Sequence, residues 1–271
     1  MNHRTLGKTG LKASILGFGG IPISNVSEKE AVAVVNHALD SGVNFIHTSI
    51  TYGDSAYKIG KVMLERRDEC FLTVKVGGRT ERDAEDTLKR SLRALNTDHI
   101  EIAQLPVNAH EFPQVMGPNG AYKAFERAQR EGVIDFIGIT SHDVDFLIDA
   151  ITTNAFSNLI MPFNYVAHKG REKLLSLAAQ LDMGVIAMKT LGRGGLSNAS
   201  QALRYVWSHD VDTAIVGMNR ISEVEQNVAT ANNPQPLTEE EERQLQRIAE
   251  EVVKANGLSS SGAVFSTPLA R

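Results

Sequence analysis

Two apolar runs in the first third of the chain are followed by residues that could transfer a proton. His47 closes the run at 43–47, Tyr52 follows five residues later, and Lys75 lies near the end of the run at 70–76. A tyrosine of pKa ~10 is a poor acid at neutral pH, but a neighbouring ammonium stabilises the phenolate and lowers that pKa. Such a pair can donate a proton to a developing alkoxide, so these residues predict general acid catalysis.

The elements that must position these residues alternate along the chain. Strands are predicted at 15–19, 43–47, 70–76, 100–105, 134–140, 159–163, 185–188 and 213–216. The first helical pattern begins at a capping box, Ser27 with Glu30, and stops at Gly42. The other helical patterns lie at about 56–67, 81–95, 120–131, 143–153, 170–182, 198–209 and 220–231. Each strand–helix unit takes about 34 residues, close to the size of a βαβ module.

The strand pattern favours one architecture over another. The runs are continuously apolar, which is typical of parallel strands covered on both faces. Eight such units predict an α/β fold, a (β/α)8 TIM barrel, whose active sites lie at the carboxyl ends of the strands. A doubly wound sheet is the alternative, but its G-x-G-x-x-G fingerprint fails, since Gly17 and Gly19 are followed by Pro22.

The eight units account for most of the chain. We expect one domain over residues 1–271, with the barrel at about 14–231 and a terminal helix at about 239–254. That helix begins with a second capping box, Thr238 with Glu241. The tail at 258–271 is rich in Ser and Gly, and could be disordered or fold over the barrel mouth.

Composition excludes several classes of function. Lys and Arg number 28 against 32 Asp and Glu, a net charge of −4, which argues against nucleic acid as the main partner. No window carries the roughly 18 uncharged apolar residues of a transmembrane helix. The first residues lack the apolar core of a secretory signal, so we expect a cytoplasmic protein. Cys70, the single cysteine, forms no internal disulfide, no metal-ligand motif is present, and nothing in the sequence indicates the oligomeric state.

Several segments resemble the aldo-keto reductase family. They are RTLGKTG at 4–10, GVNFIHTS at 42–49 with YGDS at 52–55, TVKV at 73–76, EGVIDFIGIT at 131–140, and the stretch from 215 to 227. MKTLG at 188–192 and GPNGA at 117–121 are similar to a branch whose members often carry a cysteine-rich iron–sulfur tail. This chain has no such tail, and one cysteine cannot support a cluster.

The resemblance implies a barrel that binds NAD(P)H across its C-terminal mouth and reduces a small carbonyl substrate with an Asp, a Tyr, a Lys and a His. Tyr52 and Lys75 match the tyrosine that protonates the carbonyl oxygen and the lysine that lowers its pKa. The Asp position is His47, and the His position is Pro106. A neutral His47 can accept a hydrogen bond from the ammonium, whereas Pro106 offers neither a polar side chain nor a backbone donor.

The same resemblance assigns ligand contacts. Cofactor-binding positions are Gly20, Ile21, Thr140, Ser141, Met188, Lys189, Leu191, Gly192, Gly217, Asn219, Arg220, Glu223 and Asn227. Candidate substrate contacts are His142, Asn108 and His110. Glu223 stands where NADP-specific members often carry Arg, and its charge would repel a 2′-phosphate, although Arg220 could compensate. We therefore expect a preference for NADPH to be weakened or lost.

Three interpretations of this half-changed site remain open. In the first, His47 takes over the role of the missing imidazole and the protein is a carbonyl reductase with Tyr52, Lys75 and His47 as its catalytic residues. In the second, the site performs acid/base chemistry without redox change, as a lyase or isomerase. In the third, the barrel binds a dinucleotide without turnover.

Overall fold

The computed structural model describes residues 1–168, 171–196 and 198–255, and these contain ten strands and ten α-helices. The strands are β1 His3–Thr5, β2 Lys12–Ser14, β3 Leu16–Gly19, β4 Phe45–Thr48, β5 Phe71–Lys75, β6 Ile100–Pro106, β7 Ile134–Thr140, β8 Asn158–Pro162, β9 Gly184–Met188 and β10 Thr213–Gly217. The helices are α1 Glu28–Asp40, α2 Ser55–Arg66, α3 Glu81–Leu95, α4 Phe112–Val115, α5 Ala121–Arg130, α6 Val144–Ile151, α7 Arg171–Gln180, α8 Ala199–Trp207, α9 Ile221–Asn232 and α10 Glu239–Ala255.

Strands β3 to β10 are parallel and form a closed ring. Their order is β10-β3-β4-β5-β6-β7-β8-β9, and the ring closes where Ala214 pairs with Leu16. A helix follows each of these strands along the chain, as the alternation of apolar runs and helical patterns predicts. The closed ring confirms the (β/α)8 barrel and excludes the open doubly wound sheet.

Alternate side chains of the strands fill the barrel interior. A layer of buried residues crosses it, with Phe45, Ile102, Ile160, Ile186 and Ile215 among its members. Because side chains of a strand alternate between faces, the residue two positions after each of these also faces inward, nearer the carboxyl end. His47 and Gln104 are two of these positions, so polar side chains enter the interior on the mouth side of the apolar layer.

The N-terminal residues form a hairpin that closes the opposite end of the barrel. Strand β1 pairs antiparallel with β2, and the fully buried Leu6 and Ala13 join the interior apolar layer. A Cβ on Gly184 would lie 2.5 Å from Cγ of Leu6, so the first residue of β9 must be glycine for the leucine to fit. The sequence pattern does not predict this hairpin, because each of its strands has only three residues.

Truncation of the leucine that closes the barrel should lower stability without changing the mouth. Leu6→Ala removes a fully buried side chain, and we expect the free energy of unfolding to fall by about 2–5 kcal/mol. Urea denaturation followed by circular dichroism measures this loss. Leu64→Ala is the matched control, since Leu64 is 66% exposed and its truncation should have little effect. Equal stability of the two variants would contradict this assignment of Leu6.

Helix termini agree with the predicted capping boxes. Ser27 and Glu30 exchange side-chain and backbone hydrogen bonds at the start of α1. Thr238 and Glu241 do the same before α10, where Glu241 also pairs with Arg204 at 2.7 Å. The predicted tail at 258–271 lies outside the described residues. None of the described helices is both long and apolar enough to span a membrane.

Candidate active site

His47 lies near the carboxyl end of β4, two residues after the interior Phe45, and is only 5% exposed. Its Nε2 is buried and has no hydrogen-bond partner among the described residues. Burial, reinforced by the charge of Lys75, lowers the pKa of His47 to about 3. The imidazole is therefore neutral at pH 7, and its Nε2 is available to exchange a hydrogen bond with a bound ligand.

Tyr52 stands beside this imidazole, on the loop between β4 and α2. The two ring centroids are 5.8 Å apart and the rings are tilted by 56°. Burial raises the pKa of Tyr52 above its ordinary value, and the charge of Arg193 opposes that effect. In this structure, desolvation of the phenolate outweighs the charge that opposes it, and that charge is on Arg193. A lowering of the tyrosine pKa by Lys75 stays a prediction. The hydroxyl is protonated at neutral pH, which is the state that a proton donor requires.

Lys75 is the last residue of β5, the strand next to β4 in the ring. Within the described residues its ammonium forms no hydrogen bond or ion pair, and none joins it to the Tyr52 hydroxyl. Its carbonyl oxygen accepts a hydrogen bond of 3.1 Å from Ser49 Oγ, which fixes the strand end. Burial lowers the pKa of Lys75. A partly buried cation without a carboxylate partner in the described chain thus lies at the mouth.

Lys189 and His142 share the electrostatic environment of Lys75. Burial, followed by the charges of Arg193 and Lys75, lowers the pKa of Lys189 to about 8. Burial, followed by the charges of Lys189, Lys75 and Arg193, lowers the pKa of His142 to about 4. Because Lys75, Lys189 and Arg193 affect the pKa values of this cluster together, we place its members side by side at the carboxyl ends of β5, β7 and β9. His142 is uncharged at pH 7, so the positive charge of the cluster comes from the two lysines and the arginine.

The backbone after β9 holds Lys189 in a strained conformation. Lys189 has a φ of +57°, and its carbonyl oxygen accepts hydrogen bonds of 2.9 Å from Asn164 Nδ2 and from the amide of Gly192. Asn164 is fully buried, so the turn is anchored to the core. Left-handed backbone at a non-glycine residue is costly and persists where surrounding contacts determine it. This geometry sets the direction in which the lysine leaves the strand.

The turn that follows carries Arg193, which is not among the site residues predicted from the sequence. Leu191 is half-buried, Gly192 is buried with a φ of +54°, and Arg193 has a φ of +59°. Arg193 is exposed, yet its charge reaches Tyr52, Lys189 and His142. The signal for Arg193 in the sequence was a basic residue flanked by Gly192 and Gly194, five residues after the end of β9.

The remaining strand ends of the mouth carry Pro106, Thr140, Ser141 and Met188. Pro106 pairs with Thr140 across β6 and β7, so the position of the missing imidazole borders the predicted nicotinamide contacts. Thr140 Oγ1 is buried and has no partner among the described residues. Ser141 Oγ accepts a hydrogen bond of 3.3 Å from the amide of Asp143, and Met188 is buried at the end of β9. The unpartnered hydroxyl of Thr140 is therefore available to a ligand on this side of the mouth.

The two other predicted substrate contacts lie on the loop after β6. Asn108 and His110 are both exposed. Asn108 Nδ2 donates a hydrogen bond of 2.7 Å to Glu111, and Glu111 pairs with Arg79 at 2.6 Å. The asparagine side chain thus stabilises its own turn. A contact of either residue with substrate stays a prediction.

Two glycines keep the backbone close-packed at the edge where β3 and β10 meet. The amide of Gly20 donates a hydrogen bond of 2.9 Å to the carbonyl of His47, and a Cβ on Gly217 would lie 2.7 Å from Pro22 Cγ. Ile21, which follows Gly20 in the sequence, is 54% exposed. No side chain could be added at Gly217 without displacing the proline.

The loop after β10 contains the predicted adenosine-binding residues. The amide of Asn219 donates a hydrogen bond of 2.9 Å to Glu223 Oε2, so the glutamate reaches back over the start of α9. Arg220 is exposed at the N-cap of that helix, and Asn227 is 4% exposed within it. The structure therefore places a carboxylate in the segment where the family resemblance locates the 2′-phosphate contacts.

These features fit a dinucleotide. Anionic phosphates are favoured by the basic groups of the mouth, and the orphaned Thr140 Oγ1 offers a hydroxyl to an amide or phosphate oxygen. Lys189, Arg193, Thr140, Ser141 and Asn227 are the residues that would hold the dinucleotide.

The neutral state of His47 should make the fold sensitive to acid. Its pKa is about 3 in the folded protein against 6.5 ordinarily, so between these values the unfolded chain binds a proton that the native chain does not. Stability is therefore retained above about pH 6.5 and decreases as the pH falls, by up to about 1.4 kcal/mol per pH unit. In His47→Asn we expect a shallower dependence of the unfolding free energy on pH between about pH 4 and 6. The exposed His110→Asn is the control, and identical slopes in all three proteins would contradict burial of a neutral imidazole.

Comparison with known proteins establishes the family. The model of the Aldo/keto reductase family matches residues 15–202, and the chain belongs to this family. L-galactose dehydrogenase of Arabidopsis thaliana is 26% identical over 291 residues, which cover 88% of this chain and 91% of the plant protein. The uncharacterized oxidoreductase YqkF of Bacillus subtilis (strain 168) is 23% identical over 300 residues, covering 91% and 96% of the two chains.

Solved structures share the barrel. The holo form of aldo-keto reductase AKR11C1 from Bacillus halodurans is 25% identical, with a TM-score of 0.81 over 92% of this chain and 96% of its own. An aldo/keto reductase from Klebsiella pneumoniae, solved in complex with NADP and acetate, is 22% identical, with a TM-score of 0.78 over 92% and 95% of the two chains. The family resemblance in the sequence is thus confirmed by independent matches.

Proposed function

We propose that the protein is an NAD(P)H-dependent oxidoreductase that reduces a small carbonyl substrate. The observation that carries the proposal is the buried His47: its Nε2 has no partner among the described residues, and its ring centroid lies 5.8 Å from that of Tyr52. Family membership and the NADP complex of the Klebsiella pneumoniae relative support the choice of cofactor. The site keeps a group that can donate a proton to a carbonyl oxygen and a neutral imidazole that can form a hydrogen bond with that oxygen.

Each residue has a role in this reaction. A bound NAD(P)H would supply the hydride for the carbonyl carbon, and the protein would supply the proton that completes the alcohol. Tyr52, whose hydroxyl is protonated at neutral pH, donates its proton to the carbonyl oxygen. His47 Nε2 holds that oxygen by a hydrogen bond, in place of the imidazole that Pro106 has removed. Lys75, at the end of β5, contributes positive charge beside His47.

Steady-state oxidation of NADH and NADPH in the presence of aldehydes, ketones and quinones tests the proposal. We expect turnover that depends on both the cofactor and a carbonyl compound. Absence of turnover with every substrate, together with tight cofactor binding, would instead favour a dinucleotide-binding protein without activity. Non-redox conversion of the same compounds would favour the lyase or isomerase interpretation.

Glu223 should decide the choice between the two cofactors. Its carboxylate, held by the amide of Asn219 at 2.9 Å, would repel a 2′-phosphate bound at the start of α9. We expect NADH to bind more tightly than NADPH. We also expect Glu223→Gln to increase NADPH affinity about tenfold, or about 1.4 kcal/mol, with little effect on NADH. Fluorescence titration measures both, and Glu225→Gln, an exposed change in the same helix, is the control. Tighter binding of NADPH than NADH by the native protein would overturn this assignment.

A further inference from the structure

Several cations act on the same side chains at the barrel mouth. Lys75, Lys189 and Arg193 act together on His142, and two of them act on Lys189. Lys75 also acts on His47, a buried side chain of the site. In the part of the chain that the structure describes, no Asp or Glu forms an ion pair with Lys75. Positive charge therefore extends to the position where the carbonyl group would lie.

The acidic residues on the surrounding loops are engaged elsewhere. Asp54, after β4, pairs with Lys58 at 2.8 Å, and Glu111, after β6, pairs with Arg79 at 2.6 Å. Asp143, after β7, caps α6 by accepting a hydrogen bond of 3.1 Å from Phe146. Glu223, after β10, accepts the amide of Asn219. None of these carboxylates contributes to the shifted pKa values of Lys189 or His142.

His47 stands where the family has an aspartate, and this accounts for the lack of a carboxylate partner at Lys75. An aspartate there would neutralise Lys75, whereas the imidazole is uncharged at pH 7 because burial lowers its pKa to about 3. Lys75 is not hydrogen-bonded to Tyr52, and the cation whose charge acts on Tyr52 is Arg193. The ammonium of Lys75 is thus available to a ligand.

The cofactor's phosphates would lie near Arg193, which is exposed on the glycine-rich turn. Lys75 is less exposed, at the end of β5 beside His47, and has no carboxylate partner among the described residues. A second anion within the site is the simplest source of balance, since an unpaired partly buried charge is unfavourable.

We propose that the carbonyl substrate carries a carboxylate, and that Lys75 binds it while Tyr52 and His47 hold the carbonyl oxygen. The favoured class is short oxo acids, in which the carbonyl and the carboxylate are a few bonds apart. This inference rests on the proposed reductase function, because it names the substrate of that site. The unpartnered His47 Nε2 and Thr140 Oγ1 provide hydrogen bonds for the ligand's remaining oxygen atoms.

A matched pair of substrates tests the proposal. Succinic semialdehyde and butanal have the same chain length and aldehyde, and differ in the terminal carboxylate. We expect kcat/KM to be at least about tenfold higher for the semialdehyde, and this ratio to decrease with added salt because the attraction is electrostatic. In Lys75→Met the ratio should fall towards one, whatever the loss in overall rate. Lys61→Met, an exposed lysine on α2, is the control that should keep the native ratio.

Binding without turnover separates this inference from the proposed function. Isothermal titration with butyrate and with butyramide compares an anion with a neutral ligand of the same shape. We expect butyrate to bind more tightly, and this difference to be lost in Lys75→Met and kept in Lys61→Met. Two results would contradict the carboxylate site without contradicting the proposed reductase function. They are reduction of both aldehydes with equal kcat/KM, and butyrate binding that is unchanged in Lys75→Met. If the protein binds butyrate through Lys75 but reduces no carbonyl compound, the anion site is supported and the proposed reductase function is contradicted.

Discussion

Tyr52→Phe should lower kcat/KM for carbonyl reduction by about 10²–10⁴-fold, the usual contribution of a positioned general acid. The variant removes only the hydroxyl that donates the proton, and leaves the ring that stands 5.8 Å from the ring of His47. Cofactor affinity should change little, because the hydroxyl acts on the carbonyl oxygen. Steady-state kinetics and cofactor titration on the same preparation measure both quantities.

The chain offers a matched control for this variant. Tyr57 lies on α2 and is 56% exposed, so Tyr57→Phe removes a hydroxyl remote from the mouth. We expect native kinetics from that protein. Full activity of Tyr52→Phe would show that another group protonates the product and would contradict the assigned role.

The double variant His47→Asp with Pro106→His should accelerate the reduction of a neutral aldehyde by about 10-fold or more. The aspartate would pair with Lys75, and a histidine at the end of β6 would supply a second imidazole facing Thr140. Positioned acid/base groups contribute about 10²–10⁴-fold, and incomplete alignment in a redesigned site reduces that gain. The same change should weaken the preference for carboxylated substrates, since it neutralises the lysine that binds them.

The single variants show which half of the change matters. His47→Asp alone should reduce the carboxylate preference, whereas Pro106→His alone should raise the rate with neutral aldehydes and leave that preference in place. Kinetics with butanal and succinic semialdehyde compare the three proteins. A double variant slower than the native protein on both substrates, yet equally stable, would show that the native residues are not a departure towards anionic substrates.

Much of the fold could be predicted from the sequence because its signals are local. Continuous apolar runs such as 134–140 and the capping box of Ser27 with Glu30 depend on neighbouring residues, and the structure contains both. The N-terminal hairpin could not be predicted in this way. Its stability depends on burial of Leu6 against the start of β9, a contact between residues far apart in the chain.

The site was predictable in its members but not in its electrostatics. Position at a strand end brings His47, Tyr52 and Lys75 to one mouth, and the sequence indicates as much. The direction of the pKa shift of Tyr52 could not be predicted from the sequence, because the balance between desolvation and charge depends on burial and on which cation lies nearest. Arg193, whose charge acts on the tyrosine, belongs to a turn 141 residues further along the chain.

Transfer of deuterium from a cofactor labelled at the nicotinamide C4 position tests the reductase proposal most directly. The labelled NADH or NADPH is incubated with succinic semialdehyde or butanal, and the alcohol is analysed by mass spectrometry. We expect one deuterium on the carbinol carbon, formed by the native protein and reduced to trace amounts in Tyr52→Phe. Tight binding of both cofactors with no deuterium in any product would contradict the proposal.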